Sequence, residues 1–254
     1  MSLISGPCMA ESLDLCRKIA EHMKTVCAEL GIGYVFKASF DKANRTSGSS
    51  YRGPGMETGL QWLGQIASEF DLPVLSDIHD DDQAAPAAEV LDCLQIPAFL
   101  CRQTDLVEAA ARTGKTVNIK KGQFMAPWDM GNVAQKVRDT GNDNVLLTDR
   151  GTSFGYNRPI TDMRGFVQMK EFAPVIFDAT HSIQEPSGLG GISGGQHEFA
   201  PILAKAALAA GADGLFIETH PDPDNAKSDA ACQIPLADMK TVLTKCLAIF
   251  EAAK

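Results

Sequence analysis

Chemically active residues recur at the ends of short apolar segments along this chain. Ordinary core strands finish in turn residues, but eight segments here finish in clusters rich in lysine, arginine, histidine, acidic residues and cysteine. These clusters are residues 6–8, 37–40, 76–79, 102–103, 120–121, 148–150, 178–181 and 218–220. A closed barrel of parallel strands brings all of its carboxyl ends to one rim. We therefore expect these residues to share a single site.

The densest cluster lies between residues 37 and 46. It combines cationic side chains with hydroxyl and amide groups: Lys37, Ser39, Lys42, Asn44, Arg45 and Thr46. Phosphates and carboxylates are bound by this combination of positive charge and directed donors. A solvated loop is the alternative, but the cluster begins on a strand end, which favours anion binding.

Two further strand ends carry adjacent charges. Lys120 and Lys121 end one segment, and Asp149 and Arg150 end the next. Consecutive strand residues point to opposite faces, so one lysine is expected in the barrel mouth with the other behind it. A buried charge needs a partner or a ligand, and a salt bridge among these residues is the alternative to ligand binding.

Asp77 and His79 are two residues apart and are expected on one face of their segment. Binding of substrate hydroxyls and a purely structural pair are both compatible with this spacing.

Four residues form a candidate metal site. Cys8 ends the first predicted strand, His181 follows the seventh, Glu218 lies near the end of the eighth, and Asp229 lies in the loop beyond it. The first, seventh and eighth strands become neighbours when a barrel closes. Thiolate, imidazole and carboxylate ligands suit a divalent ion such as Zn²⁺, Fe²⁺ or Mn²⁺. The residues alone leave this open, because a buried cysteine is often only a small core residue.

Composition excludes several classes of protein. The chain has 254 residues, 44% apolar and 22% charged, with a net charge of −9, which disfavours general binding to nucleic acid or anionic membranes. Its seven cysteines form no C-x-x-C pair, and we see neither a signal peptide nor a membrane span. No Walker A or G-x-G-x-x-G pattern is present. We expect a cytoplasmic protein.

Alternation of strands and amphipathic helices predicts the fold. The predicted strands are residues 3–8, 34–40, 73–78, 90–96, 116–121, 144–150, 174–180 and 213–220. The predicted helices are residues 12–30, 60–70, 106–113, 133–138, 199–210 and 237–253. Eight strand units in a chain of about 250 residues favour one (β/α)8 TIM barrel as a single domain spanning 1–254.

Two long loops follow predicted strands. Residues 41–55 are polar and basic, and residues 182–197 include a glycine-rich stretch at 187–195. Long loops on the carboxyl rim commonly carry function. The glycine-rich stretch is interpreted either as a mobile lid over the site or as a passive flexible loop.

Taken together, these motifs resemble those of the 3-deoxy-D-manno-octulosonate 8-phosphate synthase family. The resemblance runs nearly end to end, through residues 37–45, 102–105, 118–124, 149–151, 154–156, 178–182 and 218–223. It implies a β/α barrel, a homotetramer, and condensation of phosphoenolpyruvate with arabinose 5-phosphate on the route to lipopolysaccharide. Cys8 and Gly122 resemble the metal-dependent branch of the family, whose other branch has asparagine at the position of Cys8.

The resemblance also implies roles for individual residues. Phosphoenolpyruvate is expected to bind Lys42, Lys121 and Arg150, assisted by Ser39 and Gln103. The aldose phosphate is expected to bind Arg45 and Thr46 through its phosphate and Asn44 and Asp77 through its hydroxyls. The catalytic set is Lys37, Lys42, Lys121, His181 and Asp229, and the metal ligands are Cys8, His181, Glu218 and Asp229.

Four other functions compete with this prediction. A related synthase would use erythrose 4-phosphate or an N-acetylated sugar, and a Schiff-base aldolase would use Lys120 or Lys121. A sensor would bind a sugar phosphate without turnover. A metal hydrolase is the weakest alternative, because the His-x-His expected on its first strand is absent.

Overall fold

Eight parallel strands close into a barrel in the computed structural model, which describes residues 1–45, 47–156, 158–185 and 194–254. The barrel strands are β1 (Ser2–Gly6), β2 (Gly33–Lys37), β3 (Val74–Asp77), β4 (Cys93–Ile96), β5 (Thr116–Lys120), β6 (Val145–Asp149), β7 (Val175–Asp178) and β8 (Gly214–His220). Each strand pairs with the next, and β1 pairs with β8 in parallel. The predicted TIM barrel is confirmed.

Helices follow the strands around the outside of the barrel. They are α1 (Leu13–Leu30), α2 (Met56–Phe70), α3 (Ala84–Ala88), α4 (Thr104–Arg112), α5 (Met130–Asp139), α6 (Arg164–Lys170), α7 (Ala200–Ala209) and α8 (Met239–Ala252). The six predicted helices are confirmed, but α3 and α6 were missed. At five and seven residues, both are too short to display a helical period. No helix in the described part of the chain has the length and hydropathy needed to cross a bilayer.

Two apolar layers stabilise the barrel. The larger one lies between strands and helices, and a small inner cluster fills the barrel itself. The inner cluster contains Ile4, Leu75, Cys93, Ile176 and Phe216. Because side chains alternate between the two faces of a strand, the residues two positions further along these strands also face inward. Those positions include Asp77, Gln95, Asp178 and Glu218, so an apolar plug supports a polar layer above it.

The strands β1 and β2 approach closely at Gly6. A Cβ atom at this position would lie 2.0 Å from the carbonyl oxygen of Lys37, which no side chain tolerates. The glycine therefore allows β1 and β2 to pack at the point where Lys37 and Cys8 enter the site.

The predicted lid lies mostly outside the described residues. Of residues 187–195, only Gly194 and Gly195 are described, and they pair antiparallel with Gln184 and Glu185. Gly195 packs tightly there, because an added Cβ would lie 2.3 Å from the Cys232 sulfur.

Candidate active site

A cavity of about 770 Å³ opens at the carboxyl ends of the barrel strands. Six cationic residues line it: Lys37, Lys42, Arg45, Lys120, Arg150 and Lys227. They come from β2, from the loop that follows β2, from the ends of β5 and β6, and from the loop after β8. Four aspartates, Asp41, Asp77, Asp224 and Asp229, also line the cavity, but they are fewer than the cationic residues. In a chain of net charge −9, this local excess of cationic side chains favours the binding of anions.

The four candidate metal ligands converge on one side of this cavity. A ligand atom from each of Cys8, His181, Glu218 and Asp229 lies within 4.8 Å of the others. The Cys8 sulfur is 3.2 Å from Asp229 Oδ2, and His181 Nε2 is 3.5 Å from the same oxygen. These residues lie after β1, after β7, in β8 and in the loop beyond it, so closure of the barrel brings them together.

Buried partners orient two of these ligands. Lys37 Nζ lies 2.6 Å from Glu218 Oε1 and donates a second hydrogen bond, at 2.9 Å, to the carbonyl oxygen of Cys8. On the other side, Asp178 Oδ2 lies 2.8 Å from His181 Nδ1. A carboxylate on the far nitrogen of an imidazole fixes the ring and leaves Nε2 directed at the cluster.

The four residues fit a divalent cation. Burial and the nearby Glu218 carboxylate raise the pKa of the Cys8 thiol well above its usual value. Glu218 Oε2 is buried without a hydrogen-bond partner among the described residues, 3.6 Å from His181 Nε2. A cation would compensate this oxygen and would favour the thiolate, since metal ligands must be deprotonated.

Charge balance keeps the acidic members of the cluster ionised. Burial would raise the pKa of Glu218, but Lys37 and then His181 outweigh it and lower the pKa. Burial likewise disfavours the charged form of His181, yet Asp178 and Glu218 raise its pKa above the usual value. The cluster therefore holds carboxylates that are ready to bind a cation.

The two lysines at the end of β5 point in opposite directions, as predicted, but the cavity receives Lys120. Lys120 lines the cavity, 2.8 Å from Asp178 Oδ2 and 4.0 Å from the centre of the Phe216 ring. Lys121 is buried behind the strand, where it donates to the carbonyl oxygen of Gly151 at 3.2 Å. The assignment of Lys121 to the substrate site is therefore a correction, because its ammonium faces away from the cavity.

Gln103 also lies away from the cavity. It is exposed and precedes the first residue of α4, so the predicted contact with phosphoenolpyruvate is not supported. Gln123 lines the cavity instead, and its Oε1 is buried without a partner among the described residues.

Arg150 takes the predicted position at the end of β6. It lines the cavity and donates to Gln184 Oε1 at 2.8 Å and to the carbonyl oxygen of His181 at 3.1 Å. Its Nε is buried without a partner within the described part of the chain. The guanidinium is thus fixed in orientation with a donor unused, as a site for an anion requires.

Arg45 connects two loops across the cavity rim. Its guanidinium donates to Ser228 Oγ at 2.8 Å and to the carbonyl oxygens of Lys227 and Tyr51. Asn44 lines the cavity beside it, whereas Thr46 lies outside the described residues. The loop after β2 and the loop carrying Asp229 are therefore joined at the predicted sugar-phosphate site.

Asp77 lies deeper in the cavity, near Ser39 and Lys42, which were also among the predicted site residues. Ser39 is fully buried and donates to Asp77 Oδ2, so it supports the cavity from beneath. Burial would lower the pKa of Lys42, but Cys8, Glu218 and Asp77 raise it well above its usual value. Lys42 is therefore a permanent cation between the metal cluster and Asp77. His79 also lines the cavity.

The predicted site residues did not include Lys120, Gln123 or Asp178, although one of Lys120 and Lys121 was expected in the barrel mouth. The signal for Lys120 was available, because Val117 and Ile119 place the apolar face of β5 toward the helices and Lys120 on the other face. No local pattern identifies Asp178 as the joint partner of Lys120 and His181, since that contact depends on the pairing of β5, β6 and β7.

Comparison with known proteins places these observations in a family. Residues 1–253 match the model of the DAHP synthetase I family. A protein named 2-dehydro-3-deoxyphosphooctonate aldolase from Desulfotalea psychrophila is 57% identical over 99% of this chain and 90% of its own length. Proteins with the same name from Syntrophotalea carbinolica and Brucella canis are 58% and 55% identical, each over 100% of this chain and 92% of its own length.

Proposed function

The chain belongs to the DAHP synthetase I family, and we infer that it is a 3-deoxy-8-phosphooctulonate synthase. It condenses phosphoenolpyruvate with D-arabinose 5-phosphate and water, giving 3-deoxy-D-manno-octulosonate 8-phosphate and inorganic phosphate. This reaction belongs to the synthesis of the Kdo sugar of lipopolysaccharide. The observation that carries the proposal is the cationic cavity at the barrel rim, which is suited to two anionic substrates.

Lys120, Arg150 and Lys42 bind the phosphate and carboxylate of phosphoenolpyruvate in this proposal. Lys120 is already fixed by Asp178, and Arg150 by Gln184, so neither side chain needs much reorganisation when an anion arrives. Charged donors held in place before binding are the main source of electrostatic stabilisation in enzymes. Gln123 supplies a further polar contact from the cavity wall.

Arabinose 5-phosphate binds nearer the rim. Its phosphate meets Arg45 and Thr46, and its hydroxyls meet Asn44 and Asp77. Arg45 exchanges part of its contact with the Lys227 carbonyl or Ser228 hydroxyl for the phosphate. That arrangement places the aldehyde end toward the deeper anion site and holds the two reacting carbons together.

Cys8, His181, Glu218 and Asp229 would hold a divalent metal such as Zn²⁺, Fe²⁺ or Mn²⁺ at the edge of this cavity. When bound, such an ion supplies Lewis acidity toward an oxygen of the substrate or water. Asp178 orients the His181 ring, and Lys37 fixes one oxygen of Glu218.

The reaction forms one carbon–carbon bond and breaks one carbon–oxygen bond. C3 of phosphoenolpyruvate attacks the aldehyde carbon, and water adds at C2, where positive charge develops. The resulting hemiketal phosphate releases inorganic phosphate by C–O cleavage. The cationic side chains Lys42, Lys120 and Arg150 stabilise the negative charge of both substrates and of the departing phosphate.

Phosphate release tests the proposal. Purified protein is incubated with phosphoenolpyruvate and, in parallel, arabinose 5-phosphate, erythrose 4-phosphate or no aldose. We expect phosphate release only with arabinose 5-phosphate. Equal turnover of erythrose 4-phosphate would assign the related synthase, and binding without turnover would assign a sensor. Trapping of a covalent adduct by borohydride would support the Schiff-base aldolase.

Two further properties are part of the proposal. The chain acts as one catalytic domain over residues 1–254 and assembles as a homotetramer in the cytoplasm. Sedimentation analysis gives the assembly directly, because a tetramer of the 27.2 kDa chain has four times the mass of a monomer.

A further inference from the structure

A continuous chain of hydrogen bonds crosses the barrel interior beneath the cavity. Thr148 Oγ1 on β6 donates to Asn118 Oδ1 on β5 at 2.7 Å, and Asn118 Nδ2 donates to Gln95 Oε1 on β4 at 2.8 Å. Gln95 Nε2 in turn donates to Asp77 Oδ1 on β3. Ser39, after β2, donates to the other oxygen of Asp77. We refer to these five residues as the interior ladder.

The carboxylate of Asp77 sets the direction of every bond in the interior ladder. An ionised carboxylate only accepts hydrogen bonds, so Gln95 must present its NH₂ group to Asp77 and its carbonyl oxygen to Asn118. Asn118 must then present its own carbonyl oxygen to the Thr148 hydroxyl. Each amide is held in one of its two orientations by the next residue, and Thr148 terminates the series.

Within the described part of the chain, only Asp77 connects the interior ladder to the cavity. Asp77 lines the cavity, whereas Gln95, Asn118 and Thr148 are completely buried and are not among the described residues that line it. A buried polar network destabilises the fold unless each of its polar atoms has a hydrogen-bond partner. In the described part of the chain, no side-chain atom of these five residues is buried without a partner.

Charged groups from several elements also face Asp77. They are Lys37 on β2, Lys42 in the following loop, Lys120 on β5 and His79 after β3. Burial would raise the pKa of Asp77, but Lys37, Lys42 and Lys120 outweigh it and hold the pKa well below its usual value. These cations attract the Asp77 carboxylate without fixing its orientation, whereas the interior ladder adds two hydrogen bonds of fixed direction, from Ser39 and Gln95.

We propose that Thr148 and Asn118 are positioning residues that act through Gln95 to hold the Asp77 carboxylate as a fixed acceptor for the hydroxyls of the aldose phosphate. The inference rests on the proposed function, because Asp77 contacts the sugar only if this cavity binds one. Thr148 thus influences the reaction from the far side of the barrel without touching a substrate.

Thr148→Val tests the proposal because it keeps the shape of the side chain and removes the donor. Asn118 Oδ1 then loses its partner, and the fixed orientation of both amides is released. We expect kcat/KM for arabinose 5-phosphate to fall about tenfold, the effect of weakening one hydrogen bond to an ionised group, and we expect the fall to come from a higher KM for that substrate with KM for phosphoenolpyruvate little changed. Thr148→Ser keeps the donor and is expected to restore both properties.

Thermal unfolding gives a readout that does not depend on activity. Thr148→Val is combined with Asp77→Asn, which removes the carboxylate that orders the interior ladder. Residues of one hydrogen-bond network change stability non-additively, whereas independent sites are additive. We therefore expect the Tm loss caused by Thr148→Val to be smaller in the Asp77→Asn background than in the unchanged protein.

Ser5→Ala is the matched control. Ser5 is also buried, and its hydroxyl donates to the carbonyl oxygen of Ile217 at 2.5 Å, but it does not belong to the interior ladder. Its Tm loss is expected to be the same with and without Asp77→Asn, and its KM for arabinose 5-phosphate is expected to match that of the unchanged protein.

The outcomes separate the two proposals. If the unchanged protein releases no phosphate from the two substrates, the proposed function fails, and the Tm comparison with Asp77→Asn still decides whether Thr148 acts on Asp77. If the unchanged protein is active, and Thr148→Val leaves KM for arabinose 5-phosphate unaltered and lowers Tm equally with and without Asp77→Asn, the interior ladder has no positioning role. Failure of Thr148→Ser to restore KM for arabinose 5-phosphate would also overturn it.

Discussion

Replacement of Asp178 by asparagine removes the charge that fixes both a proposed metal ligand and a proposed substrate-binding lysine. The Asp178 carboxylate is fully buried, 2.8 Å from Lys120 Nζ and 2.8 Å from His181 Nδ1. Removing one partner of a buried ion pair costs about 3–5 kcal/mol, because the other charge stays buried. Asparagine retains one acceptor oxygen, so we expect a loss of about 3 kcal/mol in the free energy of unfolding.

The loss is large enough to separate from surface effects. For a chain of this size, it corresponds to a fall of about 6–12 °C in Tm. Metal affinity is expected to fall about 10- to 100-fold, the usual cost of losing the carboxylate behind a ligating histidine. Thermal unfolding gives the first quantity, and competition for Zn²⁺ with a chromogenic chelator gives the second.

Glu108→Gln is the control for this experiment. It breaks a short ion pair with Arg112, at 2.6 Å, on the exposed face of α4. Such pairs contribute only about 0.3–0.5 kcal/mol. If Asp178→Asn changed Tm no more than Glu108→Gln and left Zn²⁺ affinity unchanged, the role given to Asp178 would be wrong.

Three further perturbations address the metal site, the aldose site and the barrel itself. Treatment with a strong chelator is expected to abolish phosphate release, and added divalent metal to restore it; full activity after treatment would reject the metal part of the proposal. Arg45→Ala is expected to raise KM for arabinose 5-phosphate about tenfold or more, as for loss of a charged hydrogen bond, with a smaller effect on KM for phosphoenolpyruvate. Gly6→Ala is expected to destabilise the protein by about 3 kcal/mol or prevent folding, because its Cβ would meet the Lys37 carbonyl oxygen at 2.0 Å. Gly33→Ala, whose nearest contact would be 3.9 Å away, is the control and is expected to leave Tm almost unchanged.

The barrel could be predicted from sequence because its strands are short apolar segments with polar ends. The errors occurred where local pattern was weak. For β4, residues 90–92 were predicted as strand, but the strand begins at Cys93, since the preceding apolar residues connect it to the short helix α3. Helices α3 and α6 contain only five and seven residues. Neither is long enough to present an apolar stripe that an analysis of periodicity detects.

Side-chain alternation explains the error at Lys121. The residues Asn118 and Lys120 share one face of β5, and Val117 and Ile119 share the other. In a barrel wrapped by helices, the apolar face packs outward, so the polar pair must face the interior. Applied to β5, this rule selects Lys120 for the cavity. The resemblance to a family does not supply that information, because both lysines belong to the matching motif.

The metal cluster shows where sequence reasoning alone reaches its limit. Cys8 and Asp229 lie 221 positions apart, and their 3.2 Å contact exists only because β1 pairs with β8. Once the barrel is closed, the cluster follows from the fold. In the sequence alone, nothing distinguishes a cysteine, a histidine and two acidic residues this far apart from buried residues that do not share a site.

Alternating charge in the upper layer of the barrel explains how so many ionic groups are tolerated there. Lys37 pairs with Glu218, and Lys120 with Asp178, which also binds His181. Each charge in these pairs lies beside an opposite one, which offsets part of its desolvation cost before any substrate binds. The same pairs connect the metal cluster to the anion site, because Glu218 and His181 belong to the first and Lys120 to the second. A change at either site must therefore alter the electrostatics of the other. We expect metal and phosphoenolpyruvate to change each other's affinity by the same factor, because coupling between two binding sites is reciprocal.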